Sequence, residues 1–409
     1  MTLHLQTACR PQMTAVAVRD SSSPRYAAAP AQADVWLADH VRSGSLASTM
    51  SLEIVPPRKV GLALVEAAVN HIVLRHSILR SQLCFDDDGL WVRPESSAPR
   101  VVHCGNQMGL LALADIGPES LVPWQVWTSG PDASQITRLV FRFHHAYVDG
   151  ESAGRVVREF ITYCDGGADR ASSTKSTDYR IYAERMNDIA LAPPDGSRAY
   201  WATLNLDGMW AASATRQRAF PTGRAEIGPD TADRIERRAR TMGLTFFALA
   251  LAATARVVQQ RLNEPAVFSI PVSQRFTADY ADLVGQCTEL CPILVSPSEQ
   301  PFDECARSLY FSFLDALSHL LPMVTVRRLT TPSRHTRLDA VTVTMLADLA
   351  DDRDWTVSSL DDDSAGRPLA VVFRRSSSGL SVVVRRELDI FGSESLADEI
   401  LDELRRCLP

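Results

Sequence analysis

Residues 136–143 alternate: Leu139, Phe141 and Phe143 take one set of positions, Arg138, Val140 and Arg142 the other. A period of two predicts a β-strand with one apolar face. Other stretches carry helical spacing instead. Leu64, Ala68, Ile72 and Leu79 predict a helix over 60–79, and Val35, Trp36 and Leu37 mark a shorter one over 31–41. A third helix is expected over 152–163, directly after the alternating strand. Ser81–Phe85 and Leu90–Arg93 flank Asp86-Asp87-Asp88-Gly89, which reads as a hairpin. In the second half, a helix over 230–242 is closed by Gly243, and an alanine-rich helix runs over 246–262. Strands are expected over 266–271, 370–374 and 380–386, the last two bracketing Ser376-Ser377-Ser378-Gly379.

At 409 residues the chain is too long for one ordinary hydrophobic core. The division expected is a disordered arm over 1–25, which lacks periodicity, a first lobe over 26–210 and a second over 211–409. Apolar residues make up 45% and charged residues 22%, values ordinary for a soluble globular protein. The net charge of −7 argues against a nucleic-acid partner. No apolar run is long enough for a bilayer; the longest, Leu244–Val258, is interrupted by Thr254 and Arg256. Met1–Pro24 has no continuous apolar core of a secretory leader, so a cytoplasmic protein is expected. The eight cysteines lack paired zinc spacing and read as reduced thiols, with no metal site.

The alternating strand delivers His144-His145-Ala146-Tyr147-Val148-Asp149-Gly150, an HHxxxDG heptapeptide placed between strand and helix. Imidazole titrates nearest neutrality and is the default acceptor for a proton from an incoming amine or alcohol. Two histidines alone would read as satisfied core residues beside an Asp-Gly turn. The full heptapeptide in this setting favours chemistry.

The heptapeptide resembles the signature of the condensation-domain superfamily, which includes nonribosomal peptide synthetase condensation domains and chloramphenicol acetyltransferase-like acyltransferases. Further segments follow in the same order. Gln32 with Trp36 resembles a weakened opening AQxxxW motif, and Leu74–Arg80 resembles RHxxLR. Leu244–Leu249 is similar to the family's helix start, and Ile270–Arg275 to its strand ending in arginine. Val284-Gly285 and Pro292 keep the spacing of its IGxFVNTxP element.

The resemblance implies an α/β fold of two chloramphenicol acetyltransferase-like sandwich lobes in a V-shaped pseudo-dimer, complete as a monomer. It implies a free-standing enzyme that forms an amide or ester by acyl transfer from a carrier-bound thioester to a small amine or alcohol. The partner implied is an acyl or peptidyl carrier protein. No cofactor is implied, because the thioester on its phosphopantetheine arm already supplies activation. The catalytic positions carried over are His144, His145, Asp149 and Gly150. His145 faces the tunnel as general base or as a positioning group, and His144 supports the loop. Asp149 pairs with Arg275, and Gly150 allows close backbone approach and an N–H toward an oxyanion. The alternatives are a transferase using coenzyme A thioesters directly, and a recruitment module without catalysis.

The departures are specific. Ala33-Asp34-Val35 stands where the opening motif has its arginine, and a terminal DFGWG is absent. Gln286–Cys291 replaces almost everything between Gly285 and Pro292, which puts Glu289 where the family has asparagine. Glu289 reads either as a carboxylate in the acceptor channel or as a solvent-facing strand residue. Arg327, Arg328, Arg334, His335 and Arg337 form a basic cluster in an acidic chain. It fits a phosphate or an acidic carrier helix, or else a solvated loop.

Overall fold

The apolar residues of the alternating segment build the centre of one lobe. In the computed structural model, which describes residues 25–41, 48–94, 99–105, 124–167, 177–204, 222–330, 338–347, 354–360, 368–386 and 395–408, Leu139, Phe141 and Phe143 are fully buried. The first-half strands are β1 (Tyr26–Ala27), β2 (Thr49–Val55), β3 (Gln82–Asp86), β4 (Gly89–Arg93), β5 (Arg100–His103), β6 (Trp124–Ser129) and β7 (Arg138–His144). Those of the second half are β8 (Thr222–Ile227), β9 (Ala266–Ser273), β10 (Thr288–Val295), β11 (Val341–Ala347), β12 (Thr356–Leu360), β13 (Leu369–Ser376) and β14 (Gly379–Arg386).

The helices of the first half are α1 (Pro30–Val41), α2 (Leu62–Arg75), α3 (Gly150–Cys164), α4 (Tyr179–Leu191) and α5 (Asp195–Thr203). Those of the second are α6 (Pro229–Thr241), α7 (Phe246–Leu262), α8 (Phe302–Ser318), α9 (Met323–Leu329) and α10 (Leu396–Arg405).

The first sheet runs β12-β2-β7-β6-β5 and the second β10-β9-β11-β13-β14-β8, with a small β1-β4-β3 sheet beside them. Each large sheet has its own apolar core. One strand of the first sheet comes from far along the chain: β12 pairs antiparallel with β2, Thr356 opposite Val55. The two-lobe α/β architecture expected is the one observed. Residues 1–24 of the arm expected over 1–25, and the lobe boundary expected at 210–211, lie outside the described residues.

Local differences from the sequence reading have physical causes. The second face of β7 is covered too: Val140 packs against Trp127, and Arg142 is buried with Nη2 donating to Thr49 Oγ1 at 3.4 Å. The helix expected over 60–79 stops at Arg75, because His76 takes an extended backbone and a 3₁₀ turn, Ser77–Arg80, follows. The reason is tertiary, for His76 Nε2 lies 2.9 Å from Glu159 Oε2 on α3. The RHxxLR segment is therefore a strut under α3. In the second lobe, Thr245 caps α7 by accepting the Ala248 N–H at 3.2 Å. The alanines of that helix are buried against the sheet. Among the described residues no single helix is long and apolar enough to cross a membrane. The seven described cysteines are free thiols, five of them buried; Cys9 lies outside the described residues.

Candidate active site

His144 ends β7 opposite Thr49, and His145 begins the turn beyond it. The two imidazoles have different surroundings. His144 is buried, with Nδ1 accepting the Ala146 N–H at 3.1 Å and Nε2 lying 3.0 Å from Asp39 Oδ2 on α1. Its backbone carbonyl accepts the Tyr147 N–H at 2.9 Å, and the Tyr147 hydroxyl accepts the Leu83 N–H at 2.7 Å. Gln32, fully buried on α1, donates to the Ala146 carbonyl at 3.0 Å and accepts the Ala29 N–H at 3.0 Å. The opening motif thus holds the histidine turn. His145 is only partly buried; its backbone N–H donates to Ser48 O at 2.6 Å.

Four residues on, Asp149 caps α3, with Oδ1 accepting the Ser152 N–H at 2.9 Å. Arg275 approaches with both terminal nitrogens, Nη1 to Oδ2 at 2.9 Å and Nη2 to Oδ1 at 3.0 Å. The Cys287 N–H at 2.9 Å and the Thr288 hydroxyl at 3.1 Å complete the set on Oδ2. Burial drives the Asp149 pKa upward, but the Arg275 charge and these hydrogen bonds outweigh it and hold the carboxyl below its ordinary value. Arg275 is correspondingly raised: burial opposes its charge and Asp149 overcomes that opposition. The pair stitches the first lobe to the second. Gly285 tightens the seam, accepting the Asp149 N–H at 3.2 Å and the Ser152 hydroxyl at 2.9 Å. A Cβ on Gly285 would come within 2.1 Å of the buried Tyr179 ring, so the glycine is required by packing.

His145 lines a cavity of about 370 Å³ walled by both lobes, including Met50, Gly150, Pro271, Thr288 and Arg374. A second cavity of about 620 Å³ shares Met50, Gly150, Glu151, Met345 and Arg374 with it. Gly150 is the first residue of α3, where backbone N–H groups lack an intrahelical acceptor. A Cβ there meets no atom within 4 Å, so glycine at this position leaves the cavity wall open.

The structure brings together His144, His145, Asp149, Gly150 and Arg275. Glu289 goes elsewhere, and the solvent-facing reading of it is corrected. It is 2% exposed, so it does not face solvent, and it is not among the residues lining either cavity. Side chains alternate along β10, so Thr288 reaches Asp149 while Glu289 points to the other face. There Oε2 accepts the Met323 N–H at the start of α9 at 3.4 Å. Of the basic cluster, Arg327 and Arg328 are exposed on α9, with Arg328 Nη2 donating to Ala190 O at 2.7 Å. Arg334, His335 and Arg337 lie outside the described residues.

A family model described as the condensation domain matches residues 132–339, just over half of the chain and all of this seam. The chain belongs to the condensation-domain family. Solved structures share the fold. One is a mutant starter condensation domain of rhizomide synthetase RzmA in complex with C8-CoA and Leu-SNAC (18% identity, TM-score 0.75, 94% of each chain covered). A second is SgcC5 from Streptomyces globisporus, in complex with (R)-(-)-1-(2-naphthyl)-1,2-ethanediol and sucrose (15% identity, TM-score 0.73, 94% of this chain and 98% of that one). A third is the X-domain, in complex with OxyB from teicoplanin biosynthesis (16% identity, TM-score 0.72, 98% and 94%). At these identities the likeness speaks to fold. The search of curated proteins found no match.

Within this condensation domain, sequence reasoning missed Asp39, Ser48 and Glu159. Asp39 lies 105 positions before His144, and Ser48 97 before His145, so no local spacing links them to the motif. The link appears only in the strand register of the structure, which sets Thr49 opposite His144 and therefore Ser48 beside His145.

Proposed function

We propose that the chain is a condensation-type acyltransferase, moving an acyl group from a carrier-bound phosphopantetheine thioester to a small amine or alcohol. The observation that carries this reading is His145, which lines the cavity between the lobes while its backbone is fixed to Ser48. In the proposed step the acceptor nitrogen or oxygen attacks the thioester carbonyl carbon and His145 accepts the proton released. The oxyanion is met by backbone N–H groups in the first turn of α3, beginning with Gly150. Collapse breaks the C–S bond, and the thiolate takes the proton from His145. The thioester provides the activation, so the reaction balances without a cofactor.

Family membership supports the class of reaction. Support for the substrates comes from neighbours: RzmA was solved with C8-CoA and Leu-SNAC, groups carried on the sulfur of coenzyme A and of N-acetylcysteamine, and SgcC5 with a diol. The carrier is favoured over coenzyme A because a docked carrier orients the thioester and lowers the entropic part of the barrier. Arg327, exposed on α9, is the residue proposed for carrier contact, and its charge reversal is expected to raise the carrier KM more than it lowers kcat.

The test compares one acyl group, octanoyl, on a carrier protein, on coenzyme A and on N-acetylcysteamine, against a panel of amines and alcohols. The expected result is transfer with the highest kcat/KM from the carrier. Equal kcat/KM from coenzyme A moves the donor assignment to acyl-CoA. If no thioester is consumed, the recruitment role replaces the enzymatic one.

A further inference from the structure

Asp39 sits near the C-terminal end of α1 and is 5% exposed, facing the 1%-exposed ring of His144. A buried carboxylate needs donors, and here they are specific. His144 Nδ1 accepts the Ala146 N–H, which leaves the ring proton on Nε2; that atom lies 3.0 Å from Asp39 Oδ2, a close electrostatic contact without hydrogen-bond geometry. The other carboxylate oxygen, Oδ1, accepts the Ser48 hydroxyl. The carbonyl of the same Ser48 accepts the N–H of His145. One carboxylate therefore sits against the ring before His145 and bonds the residue that holds the His145 backbone. Gln32, seven positions earlier on the same helix, adds a third tie at the Ala146 carbonyl.

We propose that Asp39 is a positioning residue for His145, acting through the tautomer of His144 and through Ser48. This rests on His145 being the reacting group. Without the carboxylate, His144 keeps only the Ala146 N–H as a reason to hold its proton on Nε2, and the ring loses its electrostatic anchor. With the proton on Nδ1, the ring repels the Ala146 N–H and the turn carrying His145 shifts. A displacement on the order of 1 Å at a reacting group costs on the order of 10²-fold in rate.

The test uses the full chain with Asp39→Ala, Asp39→Asn and Ser48→Ala, each checked for folding by thermal melt. Turnover is read with the octanoyl donor that serves best, and ring tautomers by ¹⁵N imidazole NMR. In the wild type His144 is expected as the Nε2–H tautomer. Asp39→Ala is expected to mix the tautomers and lower kcat by about 10–10²-fold with KM changed less than about threefold. Asp39→Asn, which keeps a carbonyl acceptor for the ring, is expected to recover much of the loss. Ser48→Ala keeps the backbone carbonyl and is expected to lie between the two. An unchanged tautomer and kcat in folded Asp39→Ala overturns the proposal, as does a kcat loss matched by an equal rise in KM. If Asp39→Ala does not fold, Asp39→Asn and Ser48→Ala decide it by the same readouts. If His145→Ala keeps full turnover, the reading of His145 falls instead. The His144 tautomer then still reports whether Asp39 controls the ring.

Discussion

Thr288 and Glu289 are neighbours on β10, yet the two carboxylates they bring into view are opposites. Asp149, bonded by Thr288, is buried among five hydrogen bonds: two from Arg275 and one each from Ser152, Cys287 and Thr288. It stays charged with its pKa held low. Glu289, equally buried, has one long bond from Met323, and its Oε1 has no partner among the described residues. Burial, with Asp34 adding to it, pushes its pKa up to about 8. Depth is the same in both places, so the donors decide the charge. The seam under the histidine turn is built for a fixed anion. The underside of β10 tolerates a carboxylic acid that is mostly neutral near pH 7.

The largest effect expected from breaking this contrast is at the seam. Asp149→Asn leaves the buried Arg275 charge without its partner and should cost about 3–5 kcal/mol in denaturant unfolding. Pairing it with Arg275→Met should recover part of that loss, with a coupling energy of about 0.5–3 kcal/mol. Purely additive losses would show that the two residues do not act as a unit.

A smaller effect separates the carboxylates by pH. Glu289 binds its proton more tightly in the folded chain than at its ordinary value of 4.5. Its contribution is therefore complete below about 4.5 and is lost as pH rises toward about 8. Asp149 runs the other way: its contribution is present above its ordinary value of 3.8 and is lost as pH falls through its lower folded value. Glu289→Gln should thus gain Tm relative to wild type between pH 5 and pH 8. A constant Tm difference across that range would remove the raised pKa from the account.

The sequence made the frame legible wherever one face of an element meets one core. The run over 246–262 matches α7, and the Asp86–Gly89 turn joins β3 to β4 with Gly89 at φ 129°. The Asp149–Arg275 pair was readable only through family resemblance, because 126 positions separate the partners. The burial of Arg142, the arrival of β12 beside β2 and the ring of His76 on Glu159 were not readable. Each depends on a partner that the fold supplies from a distance. Glu289 shows the limit from the other side. A motif position gave its place on the chain, while strand alternation, fixed only once Thr288 is seen at Asp149, gave the direction it faces.

The central claim is that two adjacent histidines do different work: His145 reacts, and His144 holds the turn. Single-turnover transfer of the octanoyl group, measured for the wild type, His145→Ala and His144→Ala at matched folding, tests it most directly. The account predicts that His145→Ala melts near the wild type and loses roughly 10²–10⁴-fold in rate. His144→Ala should lose thermal stability as well as rate. Undiminished turnover in a folded His145→Ala variant would contradict the account.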